Sequence, residues 1–142
     1  PPKRCVTEAR KLAIALIESN ADLRCVWTAG KLNDTNLAID HCFPWARWRN
    51  NDLWNLLPAT DKANNSKSDK LPSAPRMESS KPAITRWWQE GYLQSPLSES
   101  FWVQAKAALP FSELLSDVDG LFDAMCLQRA VLRKNQRLEE WR

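Results

Sequence analysis

The sequence predicts an α+β fold that is mostly helical, with a short antiparallel hairpin running into a short helix and further helices around both. Three observations predict it. Two short apolar runs, Leu37-Ala38-Ile39-Asp40-His41 and Trp54-Asn55-Leu56-Leu57-Pro58, flank a polar and aromatic loop, the pattern of two strands. Thr60, a residue type that caps helices, follows the second run and opens the polar stretch Asp61-Lys62-Ala63-Asn64-Asn65-Ser66-Lys67. Apolar residues recur at helical spacing towards both ends of the chain.

Taken in order, residues 6–19 read as a helix capped by Thr7, with Val6, Ala9, Leu12, Ala13, Leu16 and Ile17 on its apolar face. Residues 23–27 read as a strand, and Thr28-Ala29-Gly30 as a turn. Pro58 is expected to end the strand begun at Trp54. Residues 68–82 are polar and punctuated by proline, and are expected to cross the surface without regular structure. Three helices then follow: 83–92 with Pro82 near its first turn, 99–109 capped by Ser98, and a long one from 112 towards 141. Leu114, Val118, Leu121, Phe122, Met125 and Leu132 mark the core stripe of the last one.

The 142 residues are read as one domain, 1–142, with its motif core at about 23–72 and flanking helices over 6–19 and 83–141. The chain starts Pro1-Pro2-Lys3 without an initiator Met, so it is expected to be a fragment of a longer protein. Lys and Arg outnumber Asp and Glu by 20 to 17; this surplus permits a nucleic-acid partner without requiring one. Cys5, Cys25, Cys42 and Cys126 form no CxxC or CxxH pair, so no structural zinc is expected. No apolar run reaches the ~20 residues of a membrane span, and no charged-then-apolar leader opens the chain. A reducing, cytoplasmic setting is therefore expected. Most of the eight tryptophans should fill core volume.

The residues that carry chemistry lie in an ordered set. Asp40-His41 alone is a common dipeptide. Asn55 follows fourteen residues after His41, Asn64 nine after Asn55, and Lys67 three after Asn64. The stretch Asp40-His41-Cys42-Phe43-Pro44 resembles the DH-x-x-P signature of the HNH endonuclease family. Asn55-Leu56-Leu57-Pro58 resembles that family's central element, Asn64-Asn65-Ser66-Lys67 its N-x-x-K ending, and Cys25-Val26-Trp27-Thr28-Ala29-Gly30 its lead-in. With Asn on the helix instead of His, the pattern is most similar to the HNH domain of RNA-guided CRISPR nucleases and bacterial defence enzymes.

The resemblance implies a ββα-metal core, a phosphodiester hydrolase and a role for each residue. His41 would be the general base, since imidazole titrates near neutrality. Asp40 and Asn64 would hold a divalent metal, and their oxygen donors suit Mg²⁺ or Mn²⁺ better than zinc. Asn55 would bond backbone in the preceding loop and hold His41 in place. Lys67 would reach a phosphate as a point charge. Arg47, Arg49, Lys62, Lys67 and Lys70 are the candidate contacts to the nucleic-acid backbone. Trp27, Trp45 and Trp54 would pack around the site. The substrate expected is DNA, with RNA open, and targeting would come from the rest of a larger protein or a partner. The alternative is an inactive HNH-like module that binds nucleic acid or protein. A bacteriocin-type toxin fits less well, because that pattern carries extra histidines.

Overall fold

A computed structural model describes residues 3–111 and 116–142. The fold is α+β and mostly helical, built on a small antiparallel hairpin. Helix α1, Thr7–Glu18, turns Ala9 and Ala13 to the core, one turn apart on one face. Val6 is its N-cap and no side chain caps it; the cap expected from Thr7 is not made, because Thr7 already lies inside the first turn. Residues 23–32 form a turn and not the expected strand. Cys25 N–H donates to Gly30 O at 2.8 Å and Leu32 N–H to Leu23 O at 3.0 Å, around a single bridge between Arg24 and Lys31.

Strand β1, Leu37–His41, pairs antiparallel with β2, Leu56–Thr60, in a register from Leu37 opposite Thr60 to His41 opposite Leu56. A one-turn 3₁₀ helix, Leu53–Asn55, leads into β2. Pro58 sits inside β2 and does not end it; its carbonyl faces away from β1 and accepts from Val26 N–H at 3.1 Å, so the missing N–H falls on the outer side of the two-stranded sheet. Helix α2, Asp61–Lys67, follows directly. Thr60 Oγ1 accepts from Ala63 N–H, and Asp61 and Lys67 complement the two ends of the helix dipole. Hairpin and helix together give the expected ββα order.

The segment expected to cross the surface is instead helical. After the two-residue strand β3, Leu71–Pro72, Ser73 caps helix α3, Ala74–Arg86, which runs nine residues ahead of the expected start and carries Pro82 in its interior. Proline removes one helical hydrogen bond and crowds the previous turn, and burial of Met77, Ser80 and Ile84 on one face offsets this. A π-helical turn over Trp87–Gly91 and a 3₁₀ turn over Tyr92–Gln94 continue the path. Helix α4 is Ser98–Ala108, with Leu97 and not Ser98 at the cap.

Helix α5, Val118–Gln136, is capped by Asp117 and ends on Arg137 in the left-handed region. Leu121, Phe122, Met125 and Leu132 are buried as the stripe requires, whereas residue 112 and Leu114 lie outside the described residues. The expected continuation to Trp141 breaks there, and Glu140–Trp141 forms β4, parallel to β3.

Three aromatic donors tie the later helices to the start of the hairpin's second strand. Trp87 Nε1–H and Tyr92 O–H both donate to Leu56 O, at 3.0 and 2.8 Å, and Trp88 Nε1–H donates to Trp54 O at 3.2 Å. These buried rings bring apolar area and satisfy backbone groups together. Among the described residues, no helix is long and apolar enough to cross a membrane.

Candidate active site

Asp40 and His41 stand at the end of β1, at 2% and 1% exposure. One cavity is lined by both of them together with Asn64 from α2, Trp45 from the loop, Asp69 and Arg4. The hairpin thus presents the first two and the helix the third. Asp40 is held by two donors: Trp27 Nε1–H bonds Oδ2 at 2.8 Å, and Lys67 Nζ bonds Oδ1 at 3.2 Å. Lys67 is completely buried, and its ammonium also donates to His41 O at 2.8 Å. This corrects the expected phosphate contact, because the last turn of α2 packs on β1 and points Lys67 inward as the internal counter-charge of Asp40.

His41 lies beside Trp45, with ring centroids 5.5 Å apart. Its Nε2 is 3.0 Å from Asn51 Oδ1, and its buried Nδ1 has no hydrogen-bond partner. Burial pushes the imidazole pKa below its ordinary value, and the positive charges of Arg4 and Lys67 act in the same direction. The Asn51 bond and the Asp40 carboxylate act against it.

Asn55 is fully buried and bonds the loop that follows β1. Its Oδ1 accepts from Phe43 N–H at 2.8 Å, and its Nδ2 donates to Phe43 O at 3.3 Å and Asn50 O at 3.1 Å. Cys42 N–H donates to Asn55 O at 2.9 Å. One asparagine therefore spans both sides of the loop next to His41. The adjoining Cys42 thiol is buried, and burial pushes its pKa up, so it stays neutral.

The expected backbone contacts divide by position. Arg47 and Arg49 are exposed; Arg47 pairs with Asp69 at 3.3 Å, which places it at the rim of the cavity. Lys70 is half-buried and pairs with Glu139 at 3.8 Å. Lys62 is exposed but lines a different depression, with Arg76 and Trp141. Trp54 is core, as expected, while Trp27 bonds Asp40 and Trp45 lines the cavity.

Three further residues that no sequence motif marks belong to the site. Arg4 lies far away in sequence and carries no motif. Asp69 is hidden in a polar run. Asn51 sits in Asn50-Asn51-Asp52, which reads as an ordinary turn.

The donors suit a hard divalent cation. Asp40 and Asn64, a carboxylate and an amide side chain, line one cavity, and each Asp40 oxygen has a lone pair beyond the N–H it accepts. Among the described residues, no three His, Cys, Asp or Glu side chains cluster as a metal-binding group. A cation such as Mg²⁺, which keeps several waters and takes one or two protein oxygens, does not require one.

Residues 25–73 match the family model described as HNH endonuclease. The match takes in both strands of the hairpin, α2 and β3, and so covers the elements that present Asp40, His41, Asn55 and Asn64. No curated protein matches the chain.

Proposed function

We propose that the chain is the cleavage domain of a larger protein, an endonuclease that hydrolyses DNA phosphodiesters with a divalent metal and His41 as general base. The observation that carries this reading is a buried imidazole with one free ring nitrogen, placed in the same cavity as Asp40 and Asn64. The family match supports a nuclease.

In this reading His41 takes a proton from the attacking water, and its lowered pKa keeps the ring neutral and ready to accept it near pH 7. Asp40 and Asn64 hold Mg²⁺ or Mn²⁺, which when bound supplies Lewis-acid stabilisation of charge on the phosphate and leaving oxygen. Lys67 and Trp27 fix the Asp40 carboxylate from behind. Asn55 shapes the loop that carries Trp45 past the imidazole. Arg4 and Arg47 stand at the cavity and its rim, where a guanidinium neutralises backbone phosphate without reading bases. Targeting is left to the remainder of the protein or to a partner, and the sequence pattern favours a bacterial or phage-defence setting.

Supercoiled plasmid, circular single-stranded DNA and RNA, each incubated with Mg²⁺ or EDTA, test the proposal. Metal-dependent nicking or linearisation is expected, with His41→Ala slower on the order of 10²–10⁴-fold. Binding without cleavage under all conditions would favour the inactive module. Cleavage of RNA alone would move the substrate class.

A further inference from the structure

We propose that Asn51 is a positioning residue that holds the imidazole of His41 with its proton on Nε2 and its lone pair on Nδ1, and that the backbone of residues 3 and 5 holds Asn51. The argument turns on which end of the Asn51 amide faces the ring. Asn51 Nδ2 donates to Lys3 O at 2.7 Å, and Cys5 N–H donates to Asn51 Oδ1 at 3.0 Å. Turning the amide over would set its N–H₂ against the Cys5 N–H and its oxygen against the Lys3 carbonyl, replacing two hydrogen bonds by two repulsions. The oxygen therefore faces Nε2, at 3.0 Å.

An amide oxygen only accepts, so Nε2 must donate. In a neutral ring that leaves Nδ1 as the acceptor, and Nδ1 is the buried atom that no protein group satisfies. The bond fixes ring orientation as well as tautomer, since a half-turn of the ring would break it and put the carbon Cε1 in place of Nε2 opposite the amide oxygen. The partners lie 46 and 48 residues from Asn51, so the backbone of the segment before α1 acts on the imidazole through the Asn51 side chain, beside the direct contribution of Arg4 to the cavity. The catalytic consequence rests on the proposed role of His41; the arrangement of the proton does not.

The chain has one histidine, so its imidazole can be read without assignment. The full chain, labelled with ¹⁵N in histidine and kept metal-free in EDTA at a pH where the ring is neutral, should show one N–H proton, on Nε2, exchanging slowly with water. Asn51→Ala should expose that proton to fast exchange and slow plasmid cleavage by about tenfold or more, short of the full loss of a general base. Asn51→Asp, which keeps an acceptor opposite Nε2, should keep the protected N–H.

A wild-type ring protonated on Nδ1 would overturn the proposal. So would an Asn51→Ala protein with the same protected Nε2–H and wild-type rate. If Asn51→Ala does not fold, the wild-type proton position and the Asn51→Asp exchange rate decide the question. If the wild type cleaves nothing, the nuclease reading fails while the exchange measurement still decides on Asn51.

Discussion

Asp40, Lys67 and His41 form a buried unit whose parts depend on one another. Lys67 places its ammonium between the Asp40 carboxylate and the His41 carbonyl, with the ion pair almost fully removed from water. Removing one member of such a pair leaves the other buried and unsatisfied. Lys67→Met is expected to lower stability by about 3–5 kcal/mol, read as a shift of the urea midpoint at constant slope. A loss below about 1 kcal/mol would show that water reaches Asp40. His41 titrates in the opposite sense to a histidine that gains a partner. Its folded pKa lies below the unfolded value of about 6.5, so between the two the unfolded chain binds more protons. Stability should therefore decline as pH falls through 6.5, levelling below the folded pKa. Melts of the metal-free protein over pH 5–8 should show this decline, and His41→Gln should lack it. Most of these residues were legible in the sequence because their order along the chain carries a pattern. Which neighbour each side chain meets was not, and Lys67 shows why: a lysine between two serines has the composition of a solvated face, and only the packing of α2 on β1 turns it inward.

At the scale of elements, the clearest readings were those with a local physical signal. The Thr60 cap and the β1–β2 pairing are set by residues close in sequence. The expected helix over 83–92 and the structureless 68–82 failed together for one reason. Pro82 has the sequence context of a start signal, whereas Ser73 and Pro75 supply the start and the burial of Met77 and Ile84 carries the helix through Pro82. The strand expected over 23–27 failed because an apolar run is also what a buried turn needs. Cys25, Val26 and Trp27 are all buried, beside a single bridge between Arg24 and Lys31 and one bond from Val26 N–H to Pro58 O. The π-helical turn after α3 depends on Gly91, where a Cβ would lie 3.0 Å from Cε3 of Trp87. That indole is locked by its bond to Leu56 O and by its edge contact with Tyr92, so it has little room to give. Gly91→Ala is expected to cost about 1–3 kcal/mol, measured by thermal unfolding, and an unchanged melting temperature would show that the turn relaxes.

Across the whole molecule, distant segments converge on the site from both sides. Residues 3 and 5 reach it through Asn51, and Trp141 reaches it through Trp27. The Trp27 and Trp141 rings meet edge-on with centroids 5.5 Å apart, and the Arg76 guanidinium lies 3.7 Å over the Trp141 ring. Behind them, Arg129 bonds Glu140 at 2.9 Å and Ser73 N–H donates to Trp141 O at 2.8 Å. None of this could be read from spacing, because each contact joins segments tens of residues apart that carry no shared motif. Trp141→Ala is expected to lower stability by about 3–5 kcal/mol. It should also loosen Trp27 enough for its indole N–H to exchange with water faster than the other buried indoles. Stability loss without faster exchange would mean that Trp27 is held by Asp40 alone.

The parallel pairing of Leu71–Pro72 with Glu140–Trp141 has a consequence in time. On a ribosome adding about 5–20 residues per second, the hairpin and α2 leave the exit tunnel several seconds before Trp141 is made. Closing a loop of that length spends chain entropy before any contact repays it. The nascent chain thus carries Asp40, His41 and Asn64 before it carries the wall that steadies Trp27 against them. Final assembly of the centre should therefore wait for Trp141 and trail the first compaction of the residues before it.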